Sequence, residues 1–524
     1  MFLFSKVYDV VIVGGGISGL FLAYKLKDTN LDILLIEQYK DLGGRIHTIK
    51  DNDIQYECAA ARFSEHHTKL LSLIDELGLS DKLIKLPKNV NKILRKYDTN
   101  IPLNIQYLYD IVRKQYVNYD NVYLQNITFF NFLVELFDSE VANFLKDSMG
   151  YDSEFIDLNA YAAIKMFKED LFTSKDYFVL STGLSSIMEK MENELKSYRN
   201  VTILKNNKLT KIYDDHIITS VDKYFYKNLV LGIPKYELQK LEEFKDFRLL
   251  DTVKPIQLLR IYFRYPVSKN GSWFKDIPRT TTNNYIRHII PIDYSKGLIM
   301  ISYTDGQNAK QLECIHNNGK DSLIKAIHKE IKKLFNIQPP EPLKVYFHNW
   351  DEKYAGCHFW NPGENINTLY DKILQPDINK NIFICGEAYS KKQAWIEGAL
   401  ETSYDVLKKL DLKNISIKSN VEETNDYDEI PLDDTYTIDE VLKHDDWIII
   451  ELDGYKKIYD VSKWIPFHPG GSAIRKGIEA NIYYKDLKGK SPTDFIRSIS
   501  EYHLKSVRNK LTNSDYITYI GLLK

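Results

Sequence analysis

The amino-acid sequence predicts an α/β fold for roughly its first 410 residues, followed by a small α+β domain. Three observations support this division. A buried-strand pattern near the N-terminus leads directly into a glycine-rich turn and a helix pattern, as in α/β nucleotide-binding folds. A polar, acidic stretch at residues 411–434 has no sustained apolar periodicity and is predicted to be a linker. Residues 435–524 are enough to form one small domain. A chain of 524 residues is also too long to fold around a single hydrophobic core of ordinary size.

The chain carries almost no net charge, with 70 Lys and Arg residues against 72 Asp and Glu residues. No block of basic residues is present, which argues against nucleic acid or an anionic membrane as the main partner. The apolar runs are far too short to cross a bilayer, and charged residues interrupt the N-terminal segment. Neither a transmembrane segment nor a signal peptide is therefore expected. Four cysteines without a CxxC pair predict a reducing, cytoplasmic compartment.

The first chemical motif is a glycine-rich turn between a strand and a helix. Residues 8–13 (YDVVIV) form the strand pattern, and the segment GGGISG follows at once. Gly14 permits a tight turn, Gly16 lets backbone N–H groups approach a pyrophosphate, and Gly19 lets the helix pack closely on the strand. The pattern predicts a Rossmann-like unit that holds the pyrophosphate at the N-terminus of the helix.

An acidic residue completes this unit. A second strand pattern ends in Glu37, at the distance from Gly19 that the dinucleotide fingerprint requires. A carboxylate there accepts hydrogen bonds from the adenosine ribose. Ser18, inside the turn, is assigned to the same site. A GxGxxG motif alone is weak evidence, but strand, helix and acid together predict a dinucleotide cofactor.

Two downstream segments select flavin over nicotinamide. Gly44 and Arg45 belong to a GGR element, in which the planar guanidinium group of the arginine can donate two hydrogen bonds to phosphate oxygens. Arg62 lies in the segment AAARF. Both segments resemble the flavin amine oxidase family, where the first meets the FAD pyrophosphate and the second runs beside the isoalloxazine ring. The resemblance implies that FAD is the cofactor; the alternative for Arg62 is an ordinary surface ion pair.

A second match to this family lies near residue 385. The strand pattern NIFIC leads into Gly386 and Glu387, and a helix pattern then opens with Trp395 and Ile396 before the segment EGA. This resembles the family's C-terminal FAD signature. The resemblance implies that Glu387 binds a flavin hydroxyl, that the backbone at Trp395 and Ile396 lies at the ring, and that the backbone of Leu209 meets adenine.

The same resemblance divides the first 410 residues and locates the reaction site. The substrate domain would be built from roughly residues 85–175 and 236–370. In the family, aromatic side chains flank the substrate before the flavin; Trp395 takes one position, and His358 or Trp360 takes the other. The alternative is that these aromatic residues only pack a core.

One position departs from the family pattern. Arg260 stands where flavin amine oxidases carry a lysine that holds a water near the flavin. Arginine does not deprotonate and does not order water as an ammonium does. This departure argues against amine oxidation but does not change the prediction that the chain binds flavin.

The last 90 residues carry a separate set of motifs. Thr437 and Glu440 form a capping box, two strand patterns follow, and the segment WIPFHPGG contains His468. This order resembles the cytochrome b5 family, which implies haem b held by His468 and, further downstream, His503. Two histidine ligands leave no open position on iron, so the implied chemistry is one-electron transfer. The loop between the histidines is longer than usual, and a haem-free module is the alternative.

The sequence thus predicts an FAD-dependent oxidoreductase that oxidises a small organic substrate, an amine or similar, by hydride transfer to flavin. A fused b5-type haem would carry single electrons, with an external electron donor or acceptor as a further partner. Two alternatives remain open. One is an FAD-dependent desaturase, isomerase or porphyrinogen-type oxidase; the other is a non-catalytic ligand-binding flavoprotein with a haem-free module.

Overall fold

The computed structural model describes residues 6–88, 90–170, 176–410, 435–441, 443–444, 447–452, 455–460 and 518–523. The chain divides into a larger unit, residues 1–105 and 124–418, and a smaller unit, residues 106–123 and 419–524. Residues 106–123, which the sequence assigns to the substrate domain, thus belong to the smaller unit. The predicted linker, residues 411–434, lies outside the described residues, so its assignment stays a prediction.

A seven-stranded sheet forms the centre of the larger unit. Its parallel part has the strand order Val201–Leu204, Ile33–Ile36, Val7–Val13, Lys223–Leu231 and Ile382–Ile384. The first half of Lys223–Leu231 also pairs with an antiparallel extension, His216–Thr219 and then Leu209–Ile212. Most residues of the central strands are buried, which explains why these strands are continuous apolar runs in the sequence.

Three helices pack on this sheet. They are Ile17–Leu26, Ser185–Leu195 and Ile396–Lys409, and their apolar residues join those of the strands in one core cluster. Glu397 fixes the last of these helices to the helix Thr68–Glu76, because its carboxylate accepts the backbone N–H groups of Lys69 and Leu70, both at 3.0 Å. A hydrogen bond from the Ser18 hydroxyl to the carbonyl oxygen of Ala399 at 3.3 Å joins the same helix to the glycine-rich turn.

A second, six-stranded sheet is built from strands that lie within the residues predicted to form the substrate domain. Its strand order is Lys344–Trp350, Leu258–Arg264, Leu298–Asp305, His288–Asp293, Thr280–Thr282 and Asn91–Ile93. Side chains of a strand alternate between its two faces. Leu259, Ile261 and Phe263 therefore join the core formed with two helices, whereas Arg260 and Tyr262 line a cavity on the opposite face.

The remaining elements are short. Smaller sheets pair Val253–Ile256 with Cys357–Trp360, Thr48–Asp51 with Ile54–Glu57, and Tyr177–Leu180 with both Phe63–Ser64 and Leu83–Lys85. The other α-helices before residue 410 are Ile105–Gln115, Asn121–Asn126, Phe129–Leu136, Ser139–Met149, Ser153–Ile156, Ala160–Asp170, Lys235–Leu238, Gly306–Asn317, Lys320–Phe335 and Ile366–Leu374. Short 3-10 helices cover Ser80–Lys82, Tyr116–Asn118, Glu242–Phe244, Arg248–Thr252 and Glu387–Tyr389.

In the C-terminal part of the smaller unit, the described residues form a four-stranded sheet and a short helix, Ile438–Val441. The strand order is Thr435–Tyr436, Thr518–Leu523, Tyr455–Asp460 and Trp447–Leu452. The predicted capping box is confirmed, because Thr437 N–H donates to the Glu440 carboxylate at 2.7 Å and the Glu440 N–H donates to the Thr437 hydroxyl. The predicted haem ligands His468 and His503 both lie outside the described residues.

Within the part of the chain that the structure covers, no helix has the length and apolar character needed to span a bilayer.

Candidate active site

A cavity of about 1640 Å³ extends from the glycine-rich turn to the second sheet. This volume exceeds the roughly 300–1,000 Å³ of a single small-molecule site, so the cavity has room for a dinucleotide and a second ligand. Apart from Gly19 and Trp360, all the residues before 410 that the sequence assigns to cofactor or substrate line this cavity: Gly14, Gly16, Ser18, Glu37, Gly44, Arg45, Arg62, Leu209, Arg260, His358, Gly386, Glu387, Trp395 and Ile396. Their assigned roles stay predictions.

The glycine-rich turn has no room for side chains at two of its positions. Gly14 has a φ of +108°, and a Cβ atom there would lie 2.4 Å from the carbonyl oxygen of Gly232. A Cβ atom on Gly19 would lie 2.0 Å from the carbonyl oxygen of Gly14. Gly19 therefore packs the helix against the turn, which explains why it does not line the cavity.

Gly16 is different, because a Cβ atom on it would meet nothing within 4 Å. Gly16 is the N-cap of the helix Ile17–Leu26, and no side chain caps this helix end. The first N–H groups of a helix have no acceptor within it. An uncapped helix N-terminus at a cavity fits an anionic group such as a pyrophosphate.

Glu37 lies beside the turn. Its carboxylate accepts the backbone N–H groups of Gly15 at 2.7 Å and Tyr39 at 2.9 Å, and the side chain is buried. Asn207, which the sequence did not single out, is also buried at this end of the cavity, and its Oδ1 atom accepts no hydrogen bond from any described residue. Buried amide oxygens normally have a donor. The unsatisfied oxygen therefore fits a cofactor whose hydroxyl or amino groups can donate to it.

Glu387 organises the middle of the site. Its carboxylate accepts hydrogen bonds from Arg45 Nη1 at 2.6 Å, from the backbone N–H of Ala394 at 2.8 Å, and from the backbone N–H of His358 at 2.9 Å. The His358 Nδ1 atom lies 3.1 Å from the same carboxylate. The sequence assigned Glu387 to a flavin hydroxyl. The structure adds that this carboxylate joins three segments that are distant in sequence.

The ionisation states of Glu387 and His358 depend on their burial and on the groups beside them. Burial by itself would raise the pKa of Glu387, but Arg45 and His358 outweigh it, and the pKa lies well below its usual range. Burial lowers the pKa of His358, against the opposing effect of Glu387. The imidazole is therefore neutral at pH 7, with Nδ1–H donating to the carboxylate.

Trp395 stands at the N-terminus of the helix Ile396–Lys409 and lines the cavity. Its ring packs edge-on against His67, with 4.8 Å between centroids, and stacks at 6.3 Å with Tyr177. Of the two candidates for the opposite aromatic position, His358 lines the cavity. Trp360 is buried away from it and donates through Nε1 to the carbonyl oxygen of Ser390 at 3.0 Å.

Arg260 is a buried cation. Its guanidinium lies 4.4 Å from the centre of the Tyr303 ring, and its Nη1 donates to the carbonyl oxygen of Glu57 at 3.3 Å. Its Nε atom is buried without an acceptor. Burial alone would lower the pKa of Arg260, but Tyr303 and Tyr262 outweigh it and raise the pKa, so the side chain stays protonated.

Arg62 is not the surface ion-pair residue that the sequence left as an alternative. Its guanidinium lies 5.0 Å from the Tyr177 ring and 5.9 Å from the Tyr151 ring, and it has no ion pair among the described residues. Arg279, which sequence reasoning missed, lines the same cavity. No local pattern marks Arg279, because only the pairing of distant strands brings it to the site.

The comparisons with known proteins agree with this architecture. Residues 17–406 match the family model described as flavin containing amine oxidoreductase. A flavin-containing amine oxidase A from Canis lupus familiaris is 34% identical over 94 residues, which cover 18% of this chain and 17% of that protein. Protoporphyrinogen oxidase 2 of Arabidopsis thaliana is 36% identical over 73 residues, covering 14% of each chain. A redesigned putrescine oxidase structure superposes with a TM-score of 0.62 at 14% identity, over 78% of this chain and 99% of that one.

The chain belongs to the family of flavin-containing amine oxidoreductases, because the family model covers most of its length. The predicted family, the FAD cofactor and the class of FAD-dependent oxidoreductase are thereby confirmed. The alignments span less than a fifth of the curated amine oxidases that they match, and the structural similarity concerns the fold alone. Among the described residues, no cluster of His, Cys, Asp and Glu has the arrangement of a metal site.

Proposed function

We propose that the larger unit oxidises a small organic molecule by transfer of a hydride to FAD. The observation that carries this proposal is the single cavity that joins the uncapped helix at Gly16 to the aromatic residues around Trp395. A dinucleotide bound along it would extend from the adenine end, near Asn207, to the substrate end. FAD supplies the two-electron acceptor when bound; the protein supplies orientation and electrostatics.

The residues around the substrate end have distinct tasks in this proposal. Trp395 and Tyr177 form a stacked aromatic wall that would orient a flat or apolar substrate. His358 presents a neutral imidazole whose orientation Glu387 fixes. Arg260 adds a fixed positive charge on the opposite sheet. His358 and Arg260 are buried, which would help to exclude water from the reacting atoms.

The substrate class is either an amine or a compound that undergoes desaturation. The family match supports an amine. Arg260 in place of the lysine, together with the similarity to a plant protoporphyrinogen oxidase, favours the second class, a desaturase or porphyrinogen-type oxidase.

Anaerobic mixing of the purified FAD-loaded protein with amines and with partly saturated cyclic compounds tests this function. We expect the visible flavin absorbance to bleach with one of these two classes. A Trp395→Ala variant should retain FAD and bleach at least tenfold more slowly, because the substrate loses its aromatic wall. A flavin that no compound of either class reduces, while dithionite reduces it normally, would contradict the proposed oxidation.

We also propose that the C-terminal residues bind haem b through His468 and His503, and that this haem exchanges single electrons with the flavin and with an external protein. The order of motifs supports this proposal. The described strand Trp447–Leu452 coincides with the first predicted strand, and the strand Tyr455–Asp460 overlaps the second, which was predicted over residues 457–461.

The visible spectrum of the full-length protein tests the haem. We expect a Soret band of a low-spin, six-coordinate haem beside the flavin bands. The His503→Ala variant should lose the low-spin spectrum, whereas the matched variant His444→Ala should keep it, since His444 lies before the strand Trp447–Leu452 and outside the haem motif. A full-length protein without a Soret band after growth with added haem would refute this part of the proposal.

A further inference from the structure

One segment within the first 410 residues belongs to the smaller unit. Residues 106–123 form one compact unit with residues 419–524, although the residues on either side of this segment belong to the larger unit. The chain therefore passes between the two units three times, after residues 105, 123 and 418. A domain attached through a linker alone needs one passage. The inserted segment is thus a second connection between the C-terminal residues and the rest of the chain.

The helix Ile105–Gln115 gives this segment an apolar face. Leu108, Tyr109 and Val112 are buried, at spacings that place them on one side of a helix. Lys114, near the end of the helix, is exposed. The helix therefore has one covered side and one side that faces water.

The cores of the larger unit do not account for the burial of this face. No described helix or strand packs extensively against the helix Ile105–Gln115. The core clusters described for the seven-stranded and six-stranded sheets do not include its buried residues. The helices after residue 128 have an aromatic core of their own, in which Phe129, Phe155 and Phe167 lie with 5.0 to 5.5 Å between ring centroids.

The C-terminal residues have a matching requirement. Ile458 and Tyr459 are consecutive residues of the strand Tyr455–Asp460, and both are buried. Consecutive side chains of a strand point to opposite faces of its sheet, so both faces are covered at this strand. A sheet of antiparallel strands commonly keeps one face toward water. The second face requires a cover, and the smaller unit contains one segment besides the C-terminal residues, residues 106–123.

We propose that residues 106–123 are the docking surface that holds the C-terminal residues 435–524, with the apolar face at Leu108 and Val112 as its centre. Burial of apolar side chains supplies the attraction. The predicted linker raises the effective concentration of the C-terminal residues at this surface, so that even weak docking is sufficient. The inference goes beyond the proposed function and depends on neither haem nor substrate.

Cleavage of the linker in the full-length protein tests the docking. A recognition sequence for a site-specific protease, placed at residues 420–426, allows the chain to be cut after it has folded. Gel filtration then shows whether the two fragments stay together. We expect them to co-elute at concentrations of about 1 μM, because the docking surface remains in the N-terminal fragment. Fragments that separate at this concentration would overturn the inference.

Two variants locate the surface. The double variant Leu108→Ala/Val112→Ala removes apolar area from its centre, and we expect its fragments to dissociate at a concentration at least tenfold higher. Leu145→Ala is the matched control, since Leu145 is equally buried in the helix Ser139–Met149 of the larger unit. Its fragments should stay together as those of the natural sequence do. Circular dichroism and flavin content show that both variants are folded.

Chemical cross-linking of the natural full-length protein provides a second readout that needs no substitution. Lys114 is exposed on the docking helix. A lysine-specific cross-linker should join Lys114 to lysines within residues 435–524. The absence of these cross-links would overturn the inference, and so would a folded Leu108→Ala/Val112→Ala variant whose fragments bind as tightly as the natural ones. A missing Soret band or an unreduced flavin would instead refute the proposed function and leave the docking surface standing.

Discussion

The two ends of the cavity differ in how their charged groups are satisfied. At the cofactor end, the Glu37 carboxylate accepts two backbone N–H groups, and the Glu387 carboxylate is saturated by Arg45, His358 and Ala394. At the substrate end, Arg260 and Arg279 each keep a buried Nε atom for which the described residues provide no acceptor. The protein therefore satisfies the two carboxylates of the cofactor end by itself, but leaves cationic donors at the substrate end without an acceptor among the described residues.

The largest effect should come from the closest packing at the cofactor end. Gly19→Ala places a Cβ atom 2.0 Å from the Gly14 carbonyl oxygen, so the helix must move away from the turn. We expect a loss of about 3 kcal/mol in the free energy of unfolding, together with loss of bound FAD. Urea denaturation and the flavin content of the purified protein measure both.

Gly16→Ala is the matched control, because its Cβ atom meets no protein atom within 4 Å. It should change the free energy of unfolding by less than about 1 kcal/mol and still weaken FAD binding, since the methyl group occupies the space that the pyrophosphate needs. A Gly16→Ala protein that retains FAD with unchanged affinity would contradict the proposed position of the pyrophosphate.

A second, smaller effect should follow from removing the charge of Glu387. Glu387→Gln leaves Arg45 without its carboxylate, and we expect a loss of about 2 kcal/mol in the free energy of unfolding. The loss is smaller than for a fully buried pair because the Arg45 side chain is 29% exposed and can be solvated. Chemical denaturation at pH 7 measures it.

The pH dependence of this contribution has a definite sign. The folded pKa of Glu387 lies below its usual value of 4.5, so the folded protein binds this proton more weakly than the unfolded chain does. The stabilisation is present above pH 4.5 and is lost as the pH falls further toward the folded pKa. Stability curves of the natural protein and of Glu387→Gln should converge below pH 4.5; parallel curves down to pH 2 would rule out the charged cluster.

The smallest effect concerns the substrate end. Arg260→Lys keeps a positive charge but loses the stacking over Tyr303 and the hydrogen bond to the Glu57 carbonyl oxygen, which should cost about 1 kcal/mol of unfolding free energy. The variant also restores the lysine typical of flavin amine oxidases. We therefore expect faster anaerobic reduction of flavin by benzylamine.

Arg264→Lys is the control for that change. Arg264 lies on the same strand and forms an ion pair with Asp53 at the surface. The Arg264→Lys variant should change the free energy of unfolding by less than about 0.5 kcal/mol and should leave the rate of flavin reduction unchanged. Equal rates for Arg260→Lys and Arg264→Lys would show that position 260 does not decide between amines and other substrates.

The sequence predicted the cofactor end well because that site is built from local patterns. A strand, a glycine turn and a helix occupy residues 7–26, and the structure shows a steric reason for Gly14 and Gly19, the two positions where the motif requires a tight turn and close packing. The predicted strands and helix around Glu387 also agree with the structure to within a few residues. At the substrate end the sequence missed Arg279, which lies in no recognisable motif.

The sequence by itself determined the nucleotide-binding unit, the flavin family and the candidate residues of the cofactor site, because short-range sterics and periodicity encode strand, turn and helix. Only the tertiary structure decided that Glu387 joins Arg45 to His358, that His358 rather than Trp360 lines the cavity, and that Arg62 and Arg279 share one pocket. These contacts join residues far apart in the chain. Their geometry depends on how the two sheets and their loops pack, and no local pattern records it.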